Sequence, residues 1–347
     1  MAGGVASTIA AGGFGQLMAQ GALPPKSPVG LAGAANGMHS EGLAGVFQGL
    51  RDRPVAYVEY CRSLGAGGIQ AGITTELPAV RKRLDELGMY YEGNAAFPRT
   101  LEEDTAAFEK SVISARELGA TVVRAVSRPP QSTSGRRHES FTSRAEFQDW
   151  LKTANAIVDK CLPIAEKHRI IIALENHKDR SVEDHVAFLK ARSSEYLGAL
   201  IDPGNNMSFM EEPTRTVTAL APYVRATSLK DMGVAPYDKG FLMSEVQFGS
   251  GITDQKALFA LMRQHNPRIN AVAELITRDP LKIPVLTDDY YRSFPRAQRQ
   301  RRDRWMAMVT AKQTKLPYTS QLTPLQQLQA EEDNNRTTFV WGLRNLT

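Results

Sequence analysis

The sequence predicts an eight-stranded α/β barrel, (β/α)8, and three observations carry that expectation. Short β-prone runs alternate with longer stretches of helical spacing, eight times over about 260 residues, the count and size such a barrel needs. No phosphate-binding turn comes after the first strand: Gly30, Gly33 and Gly37 do not make G-x-G-x-x-G in that context, so an open doubly wound sheet fits less well. Three of the apolar runs end in a carboxylate, as strands opening on a shared barrel mouth would.

In chain order the strands are expected at residues 29–31, 68–71, 90–93, 121–125, 170–174, 199–201, 226–229 and 270–274. Helical spacing of Leu, Ala, Val and Phe places helices at 54–64, 77–87, 101–118, 143–167, 182–191, 213–220 and 254–264. Some helices carry visible start signals. Thr100 precedes Glu102, Glu103 and Asp104; Ser181 precedes Glu183 and Asp184; Thr253 and Asp254 open the last.

The chain divides into three segments. Residues 1–27 are rich in Ala and Gly and uncharged before Lys26; they read either as an export leader without its basic start or as an arm that docks on something. The first reading makes the chain periplasmic, the second cytoplasmic. Residues 28–295 form the barrel. Residues 296–347 are a C-terminal helical extension, with Gln321, Gln326, Gln327 and Gln329 and the apolar patch Phe339, Val340 and Trp341, expected to pack on the barrel or on another subunit.

Composition narrows the function classes. Apolar residues at 42% and charged residues at 23% exclude wholesale disorder and collagen or coiled-coil architecture. Two cysteines, Cys61 and Cys161, with no C-x-x-C pair, exclude a disulfide framework and a thiolate zinc site. No run of 18 apolar residues is present, so no spanning helix is expected. The net charge of +5 is small for 347 residues and local, with Arg292, Arg296, Arg299, Arg301, Arg302 and Arg304 crowding one stretch. With Phe294 the one aromatic among these arginines, this reads as a solvated or interface face, not a nucleic-acid surface.

The carboxylates carry the functional reading. Glu175, with Asn176 and His177, ends the run IIIALENH; Asp202, with Asn205 nearby, ends GALIDPGNN; Glu274 ends INAVAELI. In a parallel barrel these acids converge, and unpartnered they would raise one another's pKa. A divalent cation between them removes the conflict, and oxygen ligands suit Mn²⁺ or Mg²⁺. One acid at a strand end reads as a helix cap or loop salt bridge; three at separate strand ends read as a site. His177 stands two residues beyond Glu175, on the same side of an extended strand end, where it would meet substrate hydroxyls or act as a base. Arg124 ends the fourth strand and is expected to face the mouth. Asn205 is expected to orient a ligand or bind sugar, and Lys230 and Asp231 to form a buried pair or contact substrate. Glu92 is a lesser candidate from an early strand; Glu59 reads as helix surface. His138, His168, His185 and His265 read as surface or structural residues.

The segments ALENH, IDPGN, SLKD and AEL resemble the sugar isomerase/epimerase superfamily with the xylose-isomerase-like TIM barrel, over roughly residues 30–290. The resemblance implies a metal site of Glu175, Asp202, a histidine and Glu274, with Glu175 and Glu274 as the acid/base pair. The family's histidine opens an H-x-K-D step that here reads Ser228, Leu229, Lys230 and Asp231, so the imidazole is missing. Water, substrate or Gln247 from the following loop is expected at that corner, with Ser228 left to contact substrate.

The resemblance implies proton abstraction next to a carbonyl, through an enediolate, on a small sugar. Catalysis would rest on Glu175, Glu274 and His177. The missing imidazole raises a second reading, elimination of the aglycone from a 3-oxo-glycoside as in the α subunit of C-glycoside deglycosidases, in which a small second subunit or a homo-oligomer completes the enzyme. A non-catalytic sugar-binding barrel is the third. The endonuclease members of the fold need several more histidine ligands at strand ends than this chain offers.

Overall fold

The computed structural model describes residues 22–129 and 135–346. The expected arm or leader lies outside the described residues except for residues 22–27. Eight parallel strands form one sheet: β1 (Val29–Ala32), β2 (Gly68–Ala71), β3 (Tyr90–Asn94), β4 (Val122–Ala125), β5 (Ile171–Glu175), β6 (Leu197–Ile201), β7 (Val224–Thr227) and β8 (Ala271–Ala273). Neighbours in sequence are neighbours in the sheet, and β1 pairs β8 in register Leu31 to Ala273. A parallel bridge from Leu229 to Ala273 closes the ring just beyond β7. This is the expected (β/α)8 TIM barrel.

Among the described residues a helix of eight residues or more comes after each of the first seven strands: α1 (Pro54–Leu64), α2 (Leu77–Leu87), α3 (Ala106–Glu117), α4 (Arg144–His168), α5 (Val182–Lys190), α6 (Pro213–Leu220) and α7 (Gln255–His265). Ser181 accepts from the backbone N–H of Asp184 in a reciprocal capping box, and Asp254 accepts from Ala257 N, as the start signals predict. The Thr100 signal misplaces its helix. The acids after it serve the loop, with Arg99 N donating to Glu103 Oε2, and Asp104 Oδ1 accepts from Ala106 N at the true start of α3.

The barrel axis is packed from both ends. Near its base, Tyr90 spans the interior and donates its hydroxyl to Ala271 O at 2.9 Å. Its ring lies where a Cβ on Gly30 or Gly68 would stand, so those two strands carry glycine there. Nearer the mouth, Val122, Ala173, Leu200 and Ala226 form an apolar cluster of their own.

Residues 296–347, the expected extension, contain α8 (Arg302–Ala311) and α9 (Pro324–Asn345). Thr323 caps α9 in a second capping box. α9 lies directly on β1: a Cβ at Gly342 would approach Ser27 Oγ to 2.7 Å, and Phe339 is buried in the main core with Val29 and Leu64. The arginine run before and within α8 makes surface ion pairs, among them Arg304 with Glu212 at 2.8 Å and Arg302 with Asp303 at 2.8 Å.

The fold also holds an element that the strand–helix alternation does not predict. A three-stranded antiparallel sheet joins Asp231–Tyr237, Gly240–Val246 and Leu281–Ile283. It builds a second core beside the barrel mouth from Met232, Phe241, Met243, Ile283, Tyr290 and Trp305. Among the described residues no helix is long and apolar enough to cross a membrane.

Phe339→Ala is expected to lower unfolding stability by about 3–5 kcal/mol, the usual cost of emptying a buried aromatic site. Urea denaturation checks this, and a loss below about 1 kcal/mol would contradict the packing of α9 as part of the barrel.

Candidate active site

Alternation along the strands aims the functional side chains. Residues two apart in a strand share a face, so the residue two positions beyond each member of the axial cluster extends that cluster upward. Val122 leads to Arg124, Ala173 to Glu175, Leu200 to Asp202, and Ala226 to Ser228 and then Lys230. Glu274 stands two beyond Val272 on β8 by the same step. Five strand ends therefore deliver three acids, two cations and a hydroxyl to one place.

Glu175, Asp202 and Glu274 are buried, and each offers a carboxylate oxygen within 4.8 Å of the others, a set that could hold a metal ion. Cations already stand among them. Lys230 Nζ lies 2.9 Å from Asp202 Oδ2 and 2.9 Å from Glu274 Oε2. Arg124 Nη2 pairs with Glu175 Oε2 and stands 3.9 Å from Glu274 Oε1. The acids accept further hydrogen bonds. Asp202 Oδ1 accepts from Gly204 N (2.8 Å) and Asn205 N (3.0 Å), Glu175 Oε1 from Asn205 Nδ2 (2.9 Å), and Glu274 Oε2 from Ser228 Oγ (2.6 Å).

Burial pushes the Asp202 carboxyl up to about 6 despite Lys230. Burial acts the same way on Glu274, but Lys230 and Arg124 outweigh it and hold that carboxyl well below the usual range. For Lys230 burial favours the neutral amine; Asp202, Glu274 and Glu245 reverse this and keep it an ammonium.

Above this layer opens a cavity of about 630 Å³. Its lining carries seven cationic side chains, Arg51, Arg124, Arg128, Arg136, Lys178, Lys230 and Arg278, against two acidic ones, Glu41 and Glu274. His177 also lines it. Burial, with Lys178, Lys230, Arg124 and Arg128 around it, keeps the His177 imidazole well below its usual pKa and so neutral near pH 7. Its Nδ1 is buried and has no hydrogen-bond partner among the described residues. Glu175 and Asp202 do not line the cavity; they lie behind the cations they neutralise.

The structure thus brings Glu175, Asp202, Glu274, His177, Asn205, Ser228, Lys230 and Arg124 together. Gln247 is the correction. It does not line the cavity, and its amide donates to Asn334 Oδ1 on α9 at 3.3 Å, because the turn after Gly240–Val246 carries it toward that helix. Asp231 is not Lys230's partner: its carboxylate accepts from the backbone of Gly249 (2.8 Å), Gly251 (3.0 Å) and Thr253 (3.2 Å), fixing the loop before α7. Glu92 sits one step below Asn94 on β3, held by Gln70 (2.8 Å) and Asn270 (2.9 Å). Glu59 pairs with Arg83 on the helix surface.

Three residues escaped the sequence reading. Asn176 pins the ends of β5 and β6, donating to Asp202 O at 2.7 Å and accepting from Asp202 N at 2.8 Å. Glu245 reaches the mouth from the antiparallel sheet and accepts from Arg278 at 2.6 Å. Lys178 is buried, donates to Asn205 Oδ1 and has no acidic partner among the described residues. Burial, with the charges of Lys230 and Arg278 beside it, pulls its amine down to about 7. Its place three residues beyond Glu175 was the one signal available.

Lys178 is expected to react as a neutral amine with a midpoint near pH 7, against about 10.4 for surface lysines. The pH dependence of its labelling by an amine-selective reagent, read by peptide mass spectrometry, checks this; a midpoint above about 9 would contradict it.

The chain matches the family model described as the xylose isomerase-like TIM barrel over residues 58–301. Among curated proteins it is 30% identical over 123 residues to the 3-oxo-isoapionate decarboxylase of Pectobacterium atrosepticum, an alignment covering 35% of this chain and 45% of that protein. Among solved structures it resembles a xylose isomerase-like TIM barrel protein of Mycobacterium smegmatis in complex with magnesium (TM-score 0.52, 15% identity, 82% of this chain and 97% of that one). It also resembles a 3-keto-D-glucoside 4-epimerase of E. coli (TM-score 0.52, 14% identity, 82% and 100%). At these identities the solved structures speak for the fold alone. With 244 of its 347 residues inside the family model, the chain belongs to the xylose isomerase-like TIM barrel family.

Proposed function

We propose that the chain is an enzyme that forms an enediolate from an oxo-sugar bearing a negative charge, in the manner of sugar isomerases and epimerases. The observation that carries this reading is the cavity lining, seven cations against two acids, with a neutral imidazole among them. Hydroxyl-rich neutral sugars do not need such an excess; a sugar acid does.

The residues take roles by position. Arg128 and Lys178, the lining cations without an acidic partner among the described residues, suit the substrate's anionic group. Lys230 and Arg124, held rigidly by buried acids, point positive charge at the mouth where an oxyanion would develop. His177, neutral near pH 7, accepts the proton from the carbon next to the carbonyl, and Lys178 near its midpoint returns one. Loss of CO₂ from a 3-oxo acid gives an enolate by breaking a C–C bond instead of C–H, so the likeness to a decarboxylase is compatible with the same mouth.

The convergence of Glu175, Asp202 and Glu274 supports a second reading, in which Mn²⁺ or Mg²⁺ lies among those acids and supplies Lewis-acid polarisation. That arrangement requires Lys230 to withdraw from Asp202 and Glu274.

Incubating the protein in D₂O with free ketoses, 3-oxo-glycosides and 3-oxo sugar acids separates the chemistries. Deuterium is expected at a carbon next to the carbonyl of a sugar acid, or CO₂ is released from it. His177→Ala is expected to lower the exchange rate by about 10²–10⁴-fold. Exchange with neutral ketoses alone would contradict the anionic substrate, and an unchanged rate in the variant would remove His177 from the mechanism.

A further inference from the structure

We infer that the Lys230 ammonium is the resident cation of this site, standing where members of a metal-binding barrel would hold a divalent ion. The inference deepens the enediolate reading and rests on it for its catalytic meaning, though its geometry stands apart from any reaction.

Three observations converge. The ammonium already lies between two of the three acids, at 2.9 Å from each. The corner that would need a fourth ligand is a serine hydroxyl in place of an imidazole, and its proton goes to Glu274 Oε2 at 2.6 Å. The acids already have cationic partners. Glu175, Asp202, Glu274 and Glu245 meet Arg124, Lys230 and Arg278, four acids against three paired cations. A divalent ion would have to displace the ammonium into a cavity wall already lined by Arg124, Lys178 and Arg278.

An ammonium differs from a metal in what it can do. It offers three protons, and here its nitrogen is ion-paired to Asp202 and Glu274 at 2.9 Å and donates to Asn205 Oδ1 at 3.4 Å. That long bond to Asn205 is the one a substrate oxygen would replace. The developing oxyanion is then met by a hydrogen-bond donor, with no coordination shell to assemble.

The test needs no substrate, so its failure and that of the enediolate reading are distinguishable. Chelator-treated protein is mixed with one equivalent of Mn²⁺ and the free-ion signal is followed by electron paramagnetic resonance. Wild type is expected to leave the signal unchanged. Lys230→Met, which leaves Asp202 and Glu274 without their ammonium, is expected to bind Mn²⁺ about tenfold or more tightly than wild type. Lys230→Gln, which keeps a hydrogen-bonding head without charge, takes its place if the methionine variant does not fold. Stoichiometric Mn²⁺ uptake by wild type would overturn the inference, as would a folded variant that binds no better than wild type.

Discussion

Carboxylates withdrawn from water at the mouth of a barrel cannot remain ionised together unless positive charge lies among them. The whole site is shaped by how that requirement is met. Lys230 bridges Asp202 and Glu274, Arg124 covers Glu175, and Arg278 covers Glu245. Each cation is then fixed by its acids and turned toward the cavity. Glu175 and Asp202 act through their partners and do not themselves line that cavity. Positioned cations in a partly dehydrated cavity are what an enolate intermediate needs, because their dipoles need no reorganisation when charge develops.

The barrel itself was legible because its signals are local. The short runs at 68–71 and 199–201 are set off from the helical stretches around them, and the capping residues Ser181 and Asp254 stand where their helices begin. Thr100 misled because an acid-rich loop can satisfy its own backbone without becoming helix. The antiparallel sheet was not legible. Its strands, Asp231–Tyr237 and Gly240–Val246, sit inside the connection between β7 and α7, and its third strand lies beyond β8. Only the fold brings that strand alongside.

The site was legible to the extent that it obeys the period of two along a strand. Glu175, Asp202, Ser228, Lys230 and Glu274 could all be placed at strand ends, and Arg124 with them. What their charges do to one another could not. Whether Lys230 faces Asp231 or reaches across to Asp202 depends on the turn of the chain after β7. There the backbone of Gly249, Gly251 and Thr253 claims Asp231 and leaves Lys230 free to cross the barrel. Gln247 left the site for a related reason, since its partner Asn334 belongs to a helix far along the chain. Lys178 carried no sequence signal of reactivity, because its low affinity for protons comes from burial and from two cations that only the folded chain puts beside it.

The most direct measurement is a crystal structure of the wild-type chain grown with excess MnCl₂ and recorded at the manganese absorption edge. Ammonium density between Asp202 and Glu274 is expected, with no anomalous peak within about 3 Å of the three acids. A strong peak coordinated by Glu175, Asp202 and Glu274, with Lys230 swung out into the cavity, would contradict an ammonium as the resident cation.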